Sequence, residues 1–258
     1  MELEGLTAFV TGASKGIGRQ IAITFAKEGA NVALGARSDG IYETAEEIGD
    51  DERTLPVETD VADEDSVRES VEATVSAFDG LDCLVNNAGI AGPTAPVEEV
   101  DVEEFERTLR VNLTGAFVCA KHAAPHLRES EQSSVINVSS VGGKRPYPNR
   151  TPYSSSKAGM IGLSRTLSHE LADDGVTVNT INPGPVTGER IERVMRNQAE
   201  ARDMTYEEVR EQLYEGSLPL GEMVDPEDIA DFAVFLAGEG ARHLTSQDVS
   251  VSSGSAWW

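Results

Sequence analysis

Residues 6–37 read LTAFVTGASKGIGRQIAITFAKEGANVALGAR, and this stretch decides the fold. A short apolar run, Leu6 to Thr11, leads into the glycine-rich turn Gly12-Ala13-Ser14-Lys15-Gly16-Ile17-Gly18. Ile17, Ile21 and Phe25 then recur every fourth residue, which marks one apolar helix face, before a second apolar run from Asn31 to Ala36. Strand, turn, helix and strand in this order make a βαβ unit. Moving outward, further strands are predicted at Thr54 to Glu58, Asp82 to Asn86, Ser134 to Ser139, Val176 to Asn182 and Asp248 to Val251. Between them Val67, Val71 and Val75, and later Leu163, Leu167 and Leu171, repeat the helical spacing. Near-continuous apolar strands are buried on both faces, so the expected architecture is an α/β, doubly wound, seven-stranded parallel sheet with helices on both sides. No linker or repeat divides residues 1–258, which predicts one domain. The alternation breaks only at residues 186–224. There, helices at Glu189 to Arg202 and Thr205 to Tyr214 precede the helix opened by Asp225. An insertion beyond the carboxyl end of a strand lies at the ligand-binding edge of such sheets and is read as a helical lid.

Acidic residues number 45 and basic ones 21, giving a net charge of −24. A field of that sign excludes a general nucleic-acid or anionic-lipid surface. Only five of the basic residues are lysine and the remaining sixteen are arginine, a composition expected of a halophilic cytoplasm. Salt near 1 M would shorten the screening length to about 3 Å and relieve self-repulsion. The chain has no long apolar run and its first residues carry no basic leader, so a cytoplasmic protein without a membrane span is expected. Cys83 and Cys119 lie in apolar stretches and are read as buried reduced thiols.

The turn after the first strand suits a phosphate group. Glycine permits a tight backbone approach, and the helix that follows offers free N–H groups at its positive end. Its spacing is G-x3-G-x-G, not the G-x-G-x-x-G of the dinucleotide fingerprint, and taken alone it is a weak signal with a tight structural turn as the lesser alternative. Four further motifs follow downstream: Asn86-Asn87-Ala88-Gly89, Ser139-Ser140, Tyr153-Ser154-Ser155-Ser156-Lys157 and Asn182-Pro183-Gly184. Tyr153 and Lys157 are four apart on a predicted helix and share a face, where an ammonium would favour the phenolate and help the phenol exchange a proton near neutral pH.

With TGASKGIG, NNAG, YSSSK and NPG in this order over nearly the whole length, the chain resembles the short, single-domain branch of the short-chain dehydrogenase/reductase family. The resemblance implies a Rossmann fold and an oxidoreductase that moves a hydride between a nicotinamide cofactor and a secondary alcohol or ketone. The alternative is a non-catalytic NADP(H)-binding sensor or scaffold, which would be expected to have lost the tyrosine or the lysine. It further implies Tyr153 as proton donor and acceptor, Ser140 rather than Ser139 as the group polarising the substrate oxygen, and Lys157 on the nicotinamide ribose. Asn112 would support a proton-relay water. Cofactor contacts are implied at Gly12, Ser14, Lys15, Gly16, Ile17 and Gly18, at Asp60 and Val61 for the adenine, and at Asn87, Ala88 and Gly89 along the ribose. Pro183, Gly184 and Val186 would meet the nicotinamide. The family's threonine usually stands two positions after the residue matched by Val186, whereas here Gly188 holds that place and Thr187 precedes it.

The second strand ends Gly35-Ala36-Arg37-Ser38 without a carboxylate to bind a ribose 2′-hydroxyl, while Arg37 and Lys15 could pair with a 2′-phosphate. NADP(H) is therefore expected over NAD(H), with Asp39 as the residue that argues against it and a surface salt bridge as the competing explanation for Arg37. Lys144, Arg145, Tyr147, Arg150 and Arg190 concentrate basic and aromatic side chains beside the expected substrate, which points to an anionic carbonyl compound; salt bridges within the fold are the competing explanation. His122 and His126 lie four apart, but Pro125 separates them and no third ligand is evident, so no metal is expected. The family implies a homodimer or homotetramer. Trp257 and Trp258 are read as packed within the subunit or at its boundary.

Overall fold

A computed structural model describes residues 1–255. In chain order it forms β1 (Thr7–Thr11), α1 (Gly16–Lys27), β2 (Asn31–Ala36), α2 (Gly40–Ile48), β3 (Thr54–Glu58), α3 (Glu64–Phe78) and β4 (Cys83–Asn86). Then come α4 (Val102–Leu109), α5 (Gly115–Leu127), β5 (Ser134–Val138), α6 (Thr151–Glu170), β6 (Thr177–Pro183), α7 (Glu189–Arg202), α8 (Tyr206–Val209), α9 (Pro226–Ala237) and β7 (Asp248–Val251). The expected strands are all present. Trp257 and Trp258 lie outside the described residues.

The seven strands run parallel in the order β3-β2-β1-β4-β5-β6-β7. The chain winds outward from β1 to β3, then returns to place β4 on the other side of β1. The connections after β1 and β4 therefore diverge, and a crevice opens beyond their carboxyl ends. Period-two alternation splits the core in two. Ala8 and Val10 pack with Ile21, Phe25 and the α9 residues Ile229 and Ala233, whereas Phe9 joins Val67, Val71 and Cys119 on the opposite face. Both layers are fully buried, so the strands must be apolar on both sides.

On α6 the buried face matches the expectation only in part. Leu171 is buried and Leu167 packs against the core, but Leu163 is only half-buried, and much of the buried face is Ser156, Met160, Ser164 and Ser168. Small side chains let α6 approach closely: Ser164 accepts a bond from Asn137 of β5 at 2.8 Å, and Gly159 leaves room for Leu113. Leucine spacing alone could not reveal this, because the helix is positioned by hydrogen bonds rather than by apolar volume.

Residues 186–224 form a small layer around Met195, Ala199, Val209 and Tyr214. The segment enters and leaves through one neck. Val186 and Val224 bridge in parallel, Thr187 N–H donates to the Val224 carbonyl at 2.9 Å, and Val224 N–H donates to that of Pro185 at 2.9 Å. Asp225 then starts α9 with a reciprocal bond pair to Asp228 and Pro226 in the first turn.

Candidate active site

The glycine turn is held by Thr11, which the motifs leave without a role, and by Asn87, which they place along the ribose. Thr11 donates to the Val85 carbonyl at 3.1 Å and accepts from the N–H groups of Asn87 and Ala88 at 3.0 and 3.1 Å. Asn87 Nδ2 returns bonds to the carbonyls of Thr11 and Gly12 at 2.9 and 3.3 Å. Its amide nitrogen thus braces the loop instead of reaching outward. Gly12 and Gly16 have left-handed φ of +70° and +57°, the conformation that favours glycine. Gly18 acts through its missing side chain: a Cβ there would stand 2.2 Å from Asn87 Nδ2 and 2.3 Å from the Gly12 carbonyl oxygen. It does not line the cavity.

That cavity measures about 970 Å³ and extends from the glycine turn past the ends of β4 and β5 to α7. Every other predicted cofactor residue lines it. No side chain caps α1 at Lys15, so the first-turn N–H groups at Gly16 and Ile17 face the cavity side without an internal acceptor. This is a fit for a dinucleotide pyrophosphate. Just past the end of β2, Arg37 lies 3.7 Å from Asp60, both partly exposed, while Asp60 also accepts from the Ala62 N–H at 3.0 Å. Asp39 precedes α2 and is absent from the cavity wall.

The turn after β5 and the first turns of α6 bring Ser140, Tyr153 and Lys157 to one wall. Ser139 and Ser140 separate cleanly. Ser139 Oγ donates to the Lys157 carbonyl at 2.8 Å, whereas Ser140 Oγ accepts from the Gly142 N–H at 3.0 Å and lines the cavity beside Tyr153. The buried Lys157 donates to the Val138 carbonyl at 2.8 Å with Nζ 5.9 Å from the Tyr153 ring centre. Burial pushes the Lys157 ammonium down to about 8, against the opposing influence of Tyr153. Burial alone would raise the Tyr153 phenol, but Arg190, Lys157, the Ser140 hydroxyl and Arg150 together bring it below its ordinary value.

Asn112 stands apart from the cavity wall, in a π-helical turn over Arg110–Thr114 that joins α4 to α5. Its side chain accepts from the Ile90 N–H at 2.7 Å and donates to the Ile90 carbonyl and Ser156 Oγ, each at 3.0 Å. Both amide hydrogens are thus spent on holding β4's outgoing loop to α6.

The basic loop divides. Lys144 is ion-paired with Asp248 at 2.6 Å, so the competing explanation holds for it. Arg150, the largest fully buried side chain, lies with its guanidinium carbon 5.3 Å from the Tyr147 ring centre and 5.0 Å from that of Tyr153. Arg190 approaches the Tyr153 ring at 5.8 Å from α7. Tyr147 meets Tyr153 edge to face and shares a 2.9 Å hydroxyl bond with Tyr214. The sequence did not assign Arg193, Gln198, Arg202 and Tyr214 to the cavity, although all line it. The spacing 190, 194, 198, 202 along α7 was a readable signal, since one face of a helix repeats about every fourth residue.

His122 contacts Glu64 at 3.1 Å beside Lys121, and no cluster of three or more metal-ligating side chains occurs among the described residues. Burial pushes both thiols, Cys83 and Cys119, up to about 12. No helix among the described residues is long and apolar enough to cross a membrane.

A family model described as enoyl-(acyl carrier protein) reductase matches residues 12–256. The chain is 36% identical over 251 residues to the uncharacterised oxidoreductase YxjF of Bacillus subtilis, covering 96% of each. It is 34% identical over 253 residues to the 3-oxoacyl-[acyl-carrier-protein] reductase FabG of Staphylococcus aureus, covering 96% of this chain and 97% of that one. Among solved structures, an NAD+-bound xylitol dehydrogenase superimposes with a TM-score of 0.94 at 28% identity, covering 98% of this chain and 100% of the other. A point variant of actinorhodin polyketide ketoreductase with NADPH gives 0.93 at 31% identity, covering 98% of both.

Proposed function

The chain belongs to the short-chain dehydrogenase/reductase family, an NAD(P)-dependent oxidoreductase acting on CH–OH or carbonyl groups, and on that premise we propose that it interconverts a secondary alcohol and a ketone with NADP(H) as the preferred cofactor. The observation that carries this reading is the single cavity joining the glycine turn to Ser140, Tyr153 and Lys157. When bound, the nicotinamide supplies or accepts the hydride. Ser140 donates to the substrate oxygen, and Tyr153 gives that oxygen its proton in reduction or removes it in oxidation. Lys157 holds the ribose and its positive charge stabilises the Tyr153 phenolate. Asn112 contributes by fixing Ile90 and Ser156 around this wall.

The preference for NADP(H) rests on Ala36 at the end of β2, on Lys15 and Arg37 at the adenosine end, and on Asp39 lying off the cavity wall. Residues 186–224 act as the substrate lid, swinging at the Val186–Val224 neck. Phe117 on α5 is exposed, and Leu163 and Leu167 on α6 are half-buried, which supports a homodimer or homotetramer.

Initial rates followed at 340 nm with NADPH and NADH against a ketone panel test the reading. Tyr153→Phe is expected to lower kcat by about 10²-fold or more, as loss of a positioned proton donor does, without weakening cofactor binding. Arg37→Ala should raise KM for NADPH by roughly tenfold and leave that for NADH nearly unaltered, as loss of a charge-assisted bond does. Full turnover by Tyr153→Phe would sink the assignment.

A further inference from the structure

Resting on that oxidoreductase reading, we propose that the substrate carries an anionic oxygen group, carboxylate or phosphate, within a few atoms of the reacting carbonyl, and that Arg145, Arg150, Arg190 and Arg202 receive it. The distribution of ion pairs leads to this site. Ten of the sixteen arginines pair with a carboxylate. Of the other six, Arg110 donates to the Ala62 carbonyl, and the remaining five, the four named and Arg193, all line the cavity. Near Tyr153 and α7 the cavity wall holds one carboxylate, Glu189, and no ion pair links it to these arginines among the described residues. In a chain with 45 acidic side chains, every arginine at this end of the cavity has been left without one.

Burial makes that separation informative. Arg150 is 2% exposed; its Nη2 donates to the Ala91 carbonyl at 2.9 Å, while Nε and Nη1 have no partner. Gln198, equally buried, leaves its Nε2 unpartnered, as do Arg145 and Arg202 at Nε. Buried donors of this kind are costly unless something supplies the acceptor, and a guanidinium that is already desolvated binds an anionic oxygen strongly. Position fixes where the anion would lie. Arg150 and Arg190 stand 5.0 and 5.8 Å from the Tyr153 ring, Arg150 stands 5.3 Å from that of Tyr147, and the Tyr147 hydroxyl meets that of Tyr214 at 2.9 Å. The arginines therefore line the same cavity as Tyr153 and Tyr147, on the α6 and α7 side, whereas the helix N-terminus that suits the pyrophosphate lies at the glycine turn. The planar fork of arginine matches both carboxylate and phosphate.

The test compares matched substrates with the intact enzyme at fixed ionic strength: oxo acids against their methyl esters, and phosphorylated ketoses against the free sugars. The charged member of the preferred pair is expected to have a kcat/KM about 100-fold higher, and Arg145→Gln or Arg202→Gln to cut that preference by roughly tenfold, as loss of a hydrogen bond to a charged group does. Arg196→Gln, on the outer face of α7 and paired with Glu192, serves as the unaffected control. Which pair shows the effect identifies the source of the anion. The same acids and phosphates are titrated calorimetrically into the Tyr153→Phe protein, whose wall is intact. Equal or better turnover of the neutral members overturns the anion site and leaves the oxidoreductase reading standing. Saturable anion binding that weakens in the Arg145→Gln background, with no turnover by the native enzyme on any compound, supports the site and removes the oxidoreductase reading.

Discussion

At Tyr153 four stabilising influences on the phenolate oppose one penalty. Burial disfavours it; Arg190, Lys157, Ser140 and Arg150 favour it, with the net shift downward. Arg190 is the largest favourable influence, and it comes from α7 rather than from the YSSSK motif. This has a pH consequence with a definite sign. Oxidation needs the deprotonated phenol, so its kcat/KM should rise with pH along a limb below the ordinary tyrosine value of about 10. Removing a cation weakens the phenolate, so Arg190→Gln should move that limb to higher pH, and a limb that stays in place in a kcat/KM profile excludes the coupling. Lys157, at about 8, keeps its ammonium at neutral pH, and the two groups will titrate as a pair. The motif made Tyr153 and Lys157 readable. Arg150 was legible only as a basic residue, because its place between two tyrosine rings depends on contacts made over the whole loop.

Between elements, the close approach of the β5 turn to α6 sets the distance from Ser140 to Tyr153. Gly143 stands against this helix: a Cβ there would lie 2.7 Å from the Lys157 carbonyl carbon and 2.8 Å from the Ala158 nitrogen. Neither backbone atom can yield cheaply. Gly143→Ala should therefore destabilise the protein by about 1–3 kcal/mol through overpacking. It should also lower kcat more than it raises the cofactor KM, measured by thermal melting and initial rates. A variant with native melting and native kcat would contradict the packing argument. The strands and the start of α7 were legible at this scale, since apolar runs and helix boundaries leave local marks. The inner face of α6 was so only in part, because serines and Gly159 face the sheet and the β4–α5 region alongside the leucines that apolar spacing predicts. Asn87 and Asn112 are similar cases: their side chains tie loops together, and the partners lie 76 and 44 positions away.

For the molecule as a whole, −24 is a property of the outer surface. Several ion pairs there are one helical turn apart and exposed, such as Arg68 with Asp65 and Arg242 with Glu239, and such pairs contribute little individually. Repulsion among the excess carboxylates should dominate, so the melting temperature is expected to rise as KCl increases from about 0.1 M to about 1 M, where the screening length falls from about 10 Å to about 3 Å. A flat or falling Tm would show that the charge is already compensated.

The order of apolar runs, glycines and the Tyr153–Lys157 spacing determined the doubly wound sheet and the chemistry class, because those signals are local: a strand, a turn and a helix face each need only neighbouring residues. Only the tertiary structure decided which arginines are left without carboxylates. Lys144 and Arg145 are adjacent in the chain, yet the first is paired with Asp248 and the second opens onto the cavity. Charge compensation is set by distances through space across β7, α6 and α7, which no linear spacing encodes.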